Sequence, residues 1–460
     1  MLNKVKVRNF KSFKHLDYKC AKLNLLTGLN GAGKSSFVQL MLLLRSFANK
    51  SRECQAEVDL RESGIAKTFG DIRYCYADKN EQISFSVDFT GRFFASKDIE
   101  MPASHARLIS RLITESATSA RNVLIWHPDV YEAFAKCQNT QDEAWGALEA
   151  GRINDMKYHE IRDESDAALE EVREKIAKSE RPVQEEYEGV WRRMRFIEAF
   201  RKRPQEVHEG TGMSRTAYWI SFGDGQFDPE GGDIAEFLYK HGDSIKLCDN
   251  NPMIHPNTKL HLAPPAESTL IEQVNAWLDE VSPGARFCVE RVELGDEESF
   301  VVKIGFGEEL DMRQFKPQNV GLGISYVLPV LATLLTACPE TIIIIENPEA
   351  HIHPRGQAKL GELIARAAAF GIQVFVETHS DHVINGVRVA VRDGILKPED
   401  VNIAFFERKE QLKENPVDDA DTEIFSKVIN IKVDVNGSLS EYPEDFMDEW
   451  NNQLMELMKS

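Results

Sequence analysis

No apolar run in this chain approaches the ~20 residues that a membrane-spanning helix needs, so no membrane role is expected. A basic surplus is also lacking. The formal net charge is −19, so overall charge repels nucleic acid and any DNA contact has to be a local patch. The seven cysteines are scattered and form no C-x-x-C pair, which suits reduced thiols and a cytoplasmic location. Internal repeats and low-complexity stretches are missing. Met1-Leu2-Asn3-Lys4 opens a strand-like alternation rather than a signal peptide. What remains is a globular composition, 42% hydrophobic and 28% charged. Its 460 residues are too many for one simple core, so two or three compact units, or one domain with a large insertion, are expected.

The most informative stretch is Gly28-Leu29-Asn30-Gly31-Ala32-Gly33-Lys34-Ser35, which fits the phosphate-binding pattern G-x-x-x-x-G-K-[ST]. Leu23 to Leu26 before it reads as a buried strand. Ser36 to Phe47 after it reads as a helix, with Phe37, Leu40, Met41, Leu44 and Phe47 at helical spacing. In that context Asn30, Gly31, Gly33 and Ser36 belong to a loop whose amides face phosphate oxygens, aided by the helix dipole. Lys34 would reach the β/γ-phosphates, and Ser35 would ligate Mg²⁺.

Leu2 to Phe10 alternates like an edge strand, and Ile83 to Phe89 looks like a partner in a small antiparallel sheet, with Ile65 to Asp71 as a loop. Ala103 to Thr118, Ala144 to Gly151 and Asp155 to Phe200 read as helix-rich. Ile161 to Lys178 has only a thin apolar stripe, as expected of a solvated helix or short coiled-coil arm. The stretch from Arg192 to Arg203, with Trp191 and Phe196 interleaved, is the most basic. It suits either nucleic-acid phosphates or, more commonly, a helix face paired with Glu185, Glu186 and Glu188. Phe227 to Asp233 reads as a turn before a helix Ile234 to His241, and Leu270 to Val281 reads as a second helix.

Further along, Asn319-Val320-Gly321-Leu322-Gly323-Ile324-Ser325 follows a strand, Phe300 to Gly305, and opens an apolar helix predicted over Tyr326 to Thr336. Thr341 to Glu346 is predicted as a buried parallel strand ending in a carboxylate, where α/β sheets place chemistry. Val374 to His379 repeats that logic, about the length of one βαβ unit later. His351, His353, His379 and His382 raise the question of a metal cluster, but spacing fixes no third or fourth ligand. Strands are predicted at Val401 to Arg408 and Val428 to Val433.

Phosphate loop, G-x-G-x-S, "IIIIENPEAHIHP" and "VFVETHSDHVIN", in that order and after "NFKSF", resemble ABC-type ATPases of the AAA-15/AAA-21 kind, within the SMC/RecF/OLD group. The resemblance implies an α/β fold: a P-loop ATPase head with a mixed sheet plus helices, interrupted by a helix-rich insertion. Its expected parts are residues 1–90 with Walker A, 91–300 as insertion and helical lobe, 301–412 with signature, Walker B and switch histidine, and 413–460 as a family module. It also implies ATP and Mg²⁺ as cofactors. Glu346 would be the Walker B carboxylate supporting Mg²⁺, and Gly321, Gly323 and Ser325 the signature that closes on the nucleotide of a second subunit. His379 would be the switch histidine. His353 would lie near the interface-crossing loop, and Arg8 and Ser12 by the base and ribose. The usual second acid is replaced by Asn347, a poor proton acceptor, so Glu349 is the candidate for that role and turnover is expected to be slow without it.

The C-terminal Glu441 to Trp450 segment resembles the tail of a branch that includes the ATPase subunit of Septu-type anti-phage systems, which is encoded beside an HNH nuclease. A regulatory ATPase in a homo-oligomer, acting on such a partner, is therefore the leading expectation. The alternatives are an SMC/RecF-like DNA-repair ATPase and an OLD-like nuclease. The second is disfavoured because no Toprim domain is visible and Asp418, Asp419 and Asp421 are clustered as in a loop.

Overall fold

The computed structural model describes residues 1–50, 55–58, 71–77, 83–89, 106–113, 122–125, 128–192, 194–201, 206–209, 234–248, 251–254, 267–294, 297–307, 313–412 and 422–459. They fall into two compact units. The first comprises Met1–Cys20, Gly31–Arg192 and Glu407–Val428; the second comprises Ala21–Asn30, Arg193–Phe406 and Ile429–Ser460.

Along the chain, the first part carries β1 (Leu2–Phe10), β2 (Phe13–Lys19), β3 (Leu23–Gly28), α1 (Lys34–Lys50), β4 (Gln55–Val58), β5 (Ser84–Phe89), β6 (Ala106–Ile113), β7 (Asn122–Ile125), α2 (Pro128–Glu149) and α3 (Asp155–Arg192). Then follow β8 (Arg195–Ile197), β9 (Val207–Glu209), α4 (Ile234–His241), β10 (Lys246–Cys248), β11 (Glu267–Thr269), α5 (Leu270–Val281), β12 (Ala285–Leu294), β13 (Glu297–Phe306) and β14 (Arg313–Phe315). The last part carries α6 (Leu322–Leu335), β15 (Ile342–Glu346), α7 (Pro354–Ala369), β16 (Gln373–Glu377), α8 (Asp381–Arg392), β17 (Val401–Leu412), β18 (Thr422–Ile431) and α9 (Glu449–Met458).

In the first unit, β2–β1–β5–β6–β7–β4 form one sheet, and its pairings are antiparallel. Val5, Val7, Phe85 and Val87 are buried while Lys4, Lys6 and Ser86 alternate to the other face. A bulge between Leu2 and Lys4 shifts the register, so that Leu2 is buried as well. The predicted pairing of 83–89 with the N-terminal strand is therefore present. Residues 106–113 differ from their predicted helix: Ala106–Ile113 lies between β5 and β7 as a strand, and its backbone groups are satisfied by both neighbours. The charged segment is helical as predicted. Helix α3, 38 residues and so about 57 Å long, pairs with α2 through Gln141 Nε2 donating to Asp166 Oδ1 at 2.8 Å and an edge-on contact of Trp145 with Tyr158.

The second unit is built on a sheet in the order β18–β17–β3–β16–β15–β8. β17 with β3, β3 with β16, β16 with β15 and β15 with β8 all pair in parallel. Ile342 to Ile345 and Val374 to Val376 are fully buried, as expected for strands covered on both faces. Helix α5 matches its predicted range and is fixed by a capping box: Thr269 Oγ1 accepts from Glu272 N, and Thr269 N donates to Glu272 Oε2. The predicted helix through Phe200 stops at Arg192, and the chain continues as β8, parallel to β15. Residues 65–70, 227–233 and the acids at 418, 419 and 421 lie outside the described residues.

Helices α7 and α8 touch through glycine. A Cβ at Gly386 would stand 2.1 Å from the Ala358 carbonyl oxygen, and one at Gly361 would stand 2.3 Å from that of Val383. Gly386→Ala should therefore push the helices apart and cost about 1–3 kcal/mol. Urea unfolding checks this; an unchanged midpoint would contradict the contact.

Candidate nucleotide site

Strand β3 ends at Gly28, and the loop that follows carries three glycines at positive φ: Gly28 at 129°, Gly31 at 75° and Gly33 at 110°. Side chains are disfavoured there, which accounts for glycine at all three positions. At Gly28 space is a further reason, since a Cβ would stand 2.1 Å from the Phe406 carbonyl oxygen. Helix α1 begins at Lys34, and Phe37 N donates to Gly33 O at 3.0 Å. Asn30 and Gly31 are exposed, Lys34 is buried, and Ser35 and Ser36 occupy the first helical turn, Ser35 exposed. Strand, glycine loop and helix thus occur in the predicted order.

Within the second unit, three parallel strands bring chemistry to one sheet edge. Glu346 and Glu377 end β15 and β16 in register, and Glu377 is in register with Leu26 of β3, two residues before Gly28. Thr378 N donates to Leu26 O at 3.0 Å, and Asn347 N donates to Glu377 O at 2.8 Å. Asn347 has φ 42°, a left-handed conformation that asparagine tolerates better than most side chains. That gives a physical reason for asparagine at the position of the expected second acid. Two residues on, Glu349 is buried. Its Oε1 accepts from His379 N at 3.0 Å, while its Oε2, like the buried Oδ1 of Asn347, has no hydrogen-bond partner among the described residues. Acceptor oxygens left open in this way suit a cation or a held water.

Arg201 was legible only as part of a basic run, and the structure turns it inward. Its guanidinium is buried; Nη2 donates to Glu346 O at 2.9 Å and Nη1 to Asn347 O at 3.4 Å. Ala199 N, from the same segment, donates to Glu346 Oε2 at 3.1 Å. Arg195 is buried too and caps the C-terminus of α6, donating to Thr333 O, Thr336 O and Thr336 Oγ1. These two arginines are therefore unavailable to nucleic-acid phosphates. The side chains of 192, 193, 202 and 203 lie outside the described residues.

Gly321 is the N-cap of α6, and Gly323 lies in its first turn, so the helix starts earlier than predicted. Gly323 packs on the His351 carbonyl oxygen, which a Cβ would approach to 2.4 Å. Ser325 follows, half-buried, and Tyr326 meets the His351 ring edge-on with Arg201 over its own ring. His353 caps α7, its Nδ1 accepting from Arg355 N, and His379 is exposed. Among the described residues, no three His, Cys, Asp or Glu side chains gather in a way that could hold a metal by themselves. A Mg²⁺ ion that keeps several waters and takes phosphate oxygens needs only one or two protein ligands, so the lack of such a cluster does not speak against it. Glu377 and Arg201 are the residues that sequence reasoning passed over. The repeated strand-end carboxylate was the signal for Glu377.

Burial pushes the Glu346 carboxyl up to about 7, with Glu377 and Glu198 adding to the shift and the Ala199 N–H opposing it. Burial likewise raises Glu349 and lowers Arg201 to about 10. Between the ordinary 4.5 and about 7 the folded protein holds a proton on Glu346 that the unfolded chain releases. Stability from this group is present below that window and is lost as pH rises through it. Glu346→Gln should therefore stabilise the nucleotide-free protein at pH 8, by up to about 3 kcal/mol, and leave it little changed at pH 4. Thermal unfolding at the two pH values checks this; equal effects at both would contradict it.

Among solved structures, the chain is similar to the SMC head domain with an extended coiled coil bound to the C-terminal domain of ScpA, from Pyrococcus furiosus. That match has 12% identity and a TM-score of 0.39, and covers 100% of this chain and 99% of that one. It is also similar to the SMC head domain from Thermotoga maritima, at 10% identity and a TM-score of 0.39, with 94% of this chain and 99% of that one covered. Likeness at this level extends to neither activity nor partner. No curated protein matches the sequence. Residues 396–457 match DUF3696, a family of unknown function. Residues 23–385 match the family described as "AAA domain, putative AbiEii toxin, Type IV TA system". The match takes in the glycine loop and both strand-end carboxylates, and the chain belongs to this AAA-domain family of P-loop ATPases.

Proposed function

We propose that the chain binds and hydrolyses Mg·ATP as an ABC-type head. In this reading two copies engage on nucleotide, and their engagement controls a separate effector in a cytoplasmic anti-phage defence complex. The observation that carries the ATP reading is the sheet edge at which the phosphate-loop strand, Glu346, Glu377 and the buried Glu349 come together. The effector reading has different support: the toxin–antitoxin wording of the family description, and the resemblance of the Glu441–Trp450 sequence to the tail of ATPases encoded beside HNH nucleases. The inward-turned Arg195 and Arg201 weigh against direct DNA binding through that stretch.

The chain's residues divide the work. The loop amides and Lys34 bind phosphate oxygens. Ser35 and Glu346 are the residues to hold Mg²⁺, which when bound neutralises phosphate charge. Glu349 Oε2 is open to accept a proton from an attacking water, while His379 N–H fixes the other oxygen of the same carboxylate. Asn347 Oδ1 can orient that water but is too weak a base to take its proton. Arg201 holds the Glu346 and Asn347 carbonyls so that both side chains keep their aim. His379, exposed after β16, is assigned the role of meeting a γ-phosphate in this reading. Gly321 and Ser325, at the open start of α6, are candidates to complete the site of a second copy.

Lys34→Ala should abolish ATP binding. Glu349→Gln should slow turnover about 10²–10⁴-fold with binding retained. Steady-state turnover with a parallel binding titration checks both. Turnover that survives Glu349→Gln but is lost in Asn347→Ala would move the proton acceptor to Asn347.

A further inference from the structure

Strand β18 lies in the DUF3696-matched tail, for which no role is assigned, and the part that includes Ser426 belongs to the same compact unit as the phosphate loop from Gly31 onward. Three bonds fasten it there. Lys14 Nζ pairs with Glu423 Oε2 at 2.6 Å, Tyr74 Oη donates to Ile424 O at 2.9 Å, and Ser426 N donates to Ser12 O at 2.8 Å. The last bond sets two hydroxyls over the phosphate loop. A Cβ at Gly33 would stand 2.5 Å from Ser426 Oγ and 2.8 Å from Ser12 Oγ. Ser426 is buried, and the buried Oγ of Ser12 has no hydrogen-bond partner among the described residues. Gly33 precedes the lysine, and its φ of 110° sets how the loop enters α1.

We propose that Ser426 is a positioning residue for nucleotide: the tail strand backs the phosphate loop at Gly33 and holds its amides in the phosphate-binding arrangement before ATP arrives. The tail is thereby part of the nucleotide site and sets its affinity. This rests on the ATP reading above. The physical argument is preorganisation. A glycine loop has wide conformational freedom, and ordering it on binding subtracts from affinity. A hydroxyl seated against Gly33 Cα excludes the alternative loop conformers that would need that space. A loop-ordering contact acts on ground state and transition state alike, so its loss raises KM and leaves kcat largely in place.

The test uses the full-length chain. Ser426→Ala, Ser426→Thr and Lys34→Ala are compared with wild type for equilibrium binding of a fluorescent ATP analogue with Mg²⁺, for KM and kcat, and for unfolding midpoint. Ser426→Ala should weaken binding and raise KM about tenfold, a change of about 1.4 kcal/mol, with a kcat change under about twofold. Ser426→Thr, which keeps the hydroxyl, should recover most of the affinity. A purely structural role would instead lower the midpoint and the active fraction with KM unmoved. Unchanged KM and affinity in Ser426→Ala, with binding still abolished by Lys34→Ala, would overturn the proposal and leave the ATP reading standing. Binding that survives Lys34→Ala would overturn the ATP reading itself, and this inference with it.

Discussion

Buried negative charge at one edge of a parallel sheet governs much of the second unit. Glu346, Glu349 and Glu377 come together there, and Glu349 and Glu377 are almost fully buried. Isolated carboxylates in such a place are costly unless they are protonated, paired or hydrogen-bonded. The chain meets the cost locally. The segment after β8 supplies the Ala199 N–H to Glu346, and the Arg201 guanidinium sits among the strand-end carbonyls. Strand β8 must therefore lie beside β15, and Arg195 secures it there by capping α6. What remains uncompensated, the raised Glu346 and the open Oε2 of Glu349, is the kind of residual strain a cation and a polarised water would relieve.

Backbone conformation is the second constraint. Three glycines at positive φ shape the phosphate loop, and Asn347 adopts a left-handed φ in the turn after β15. The asparagine that looks like a lost catalytic acid in the sequence is also a residue suited to its backbone position. The acid two residues later is held by the His379 N–H and faces the same edge. One turn thus holds both a residue suited to the left-handed backbone, Asn347, and a buried carboxylate, Glu349.

Much of this was legible in the sequence, for identifiable reasons. The strand of four isoleucines and the loop glycines announce themselves through burial and conformational need. Arg201 was not legible as a buried residue. A run of arginines reads as surface, and only the tertiary pairing of β8 with β15 turns this one inward. The apolar residues of Ala106–Ile113 fit both the helical and the strand period, and pairing with β5 and β7 decides for the strand. The early start of α6 is hidden in the sequence because glycines usually signal a break, whereas Gly323 is small for the sake of the His351 carbonyl packed on it.

Nucleotide binding by this chain is the point on which everything above depends. Calorimetric titration of ATP into the pure full-length protein, with Mg²⁺ and again in excess EDTA, asks this directly. The account predicts saturable binding of one ATP per chain that Mg²⁺ tightens. Absence of saturable binding under both conditions would contradict it.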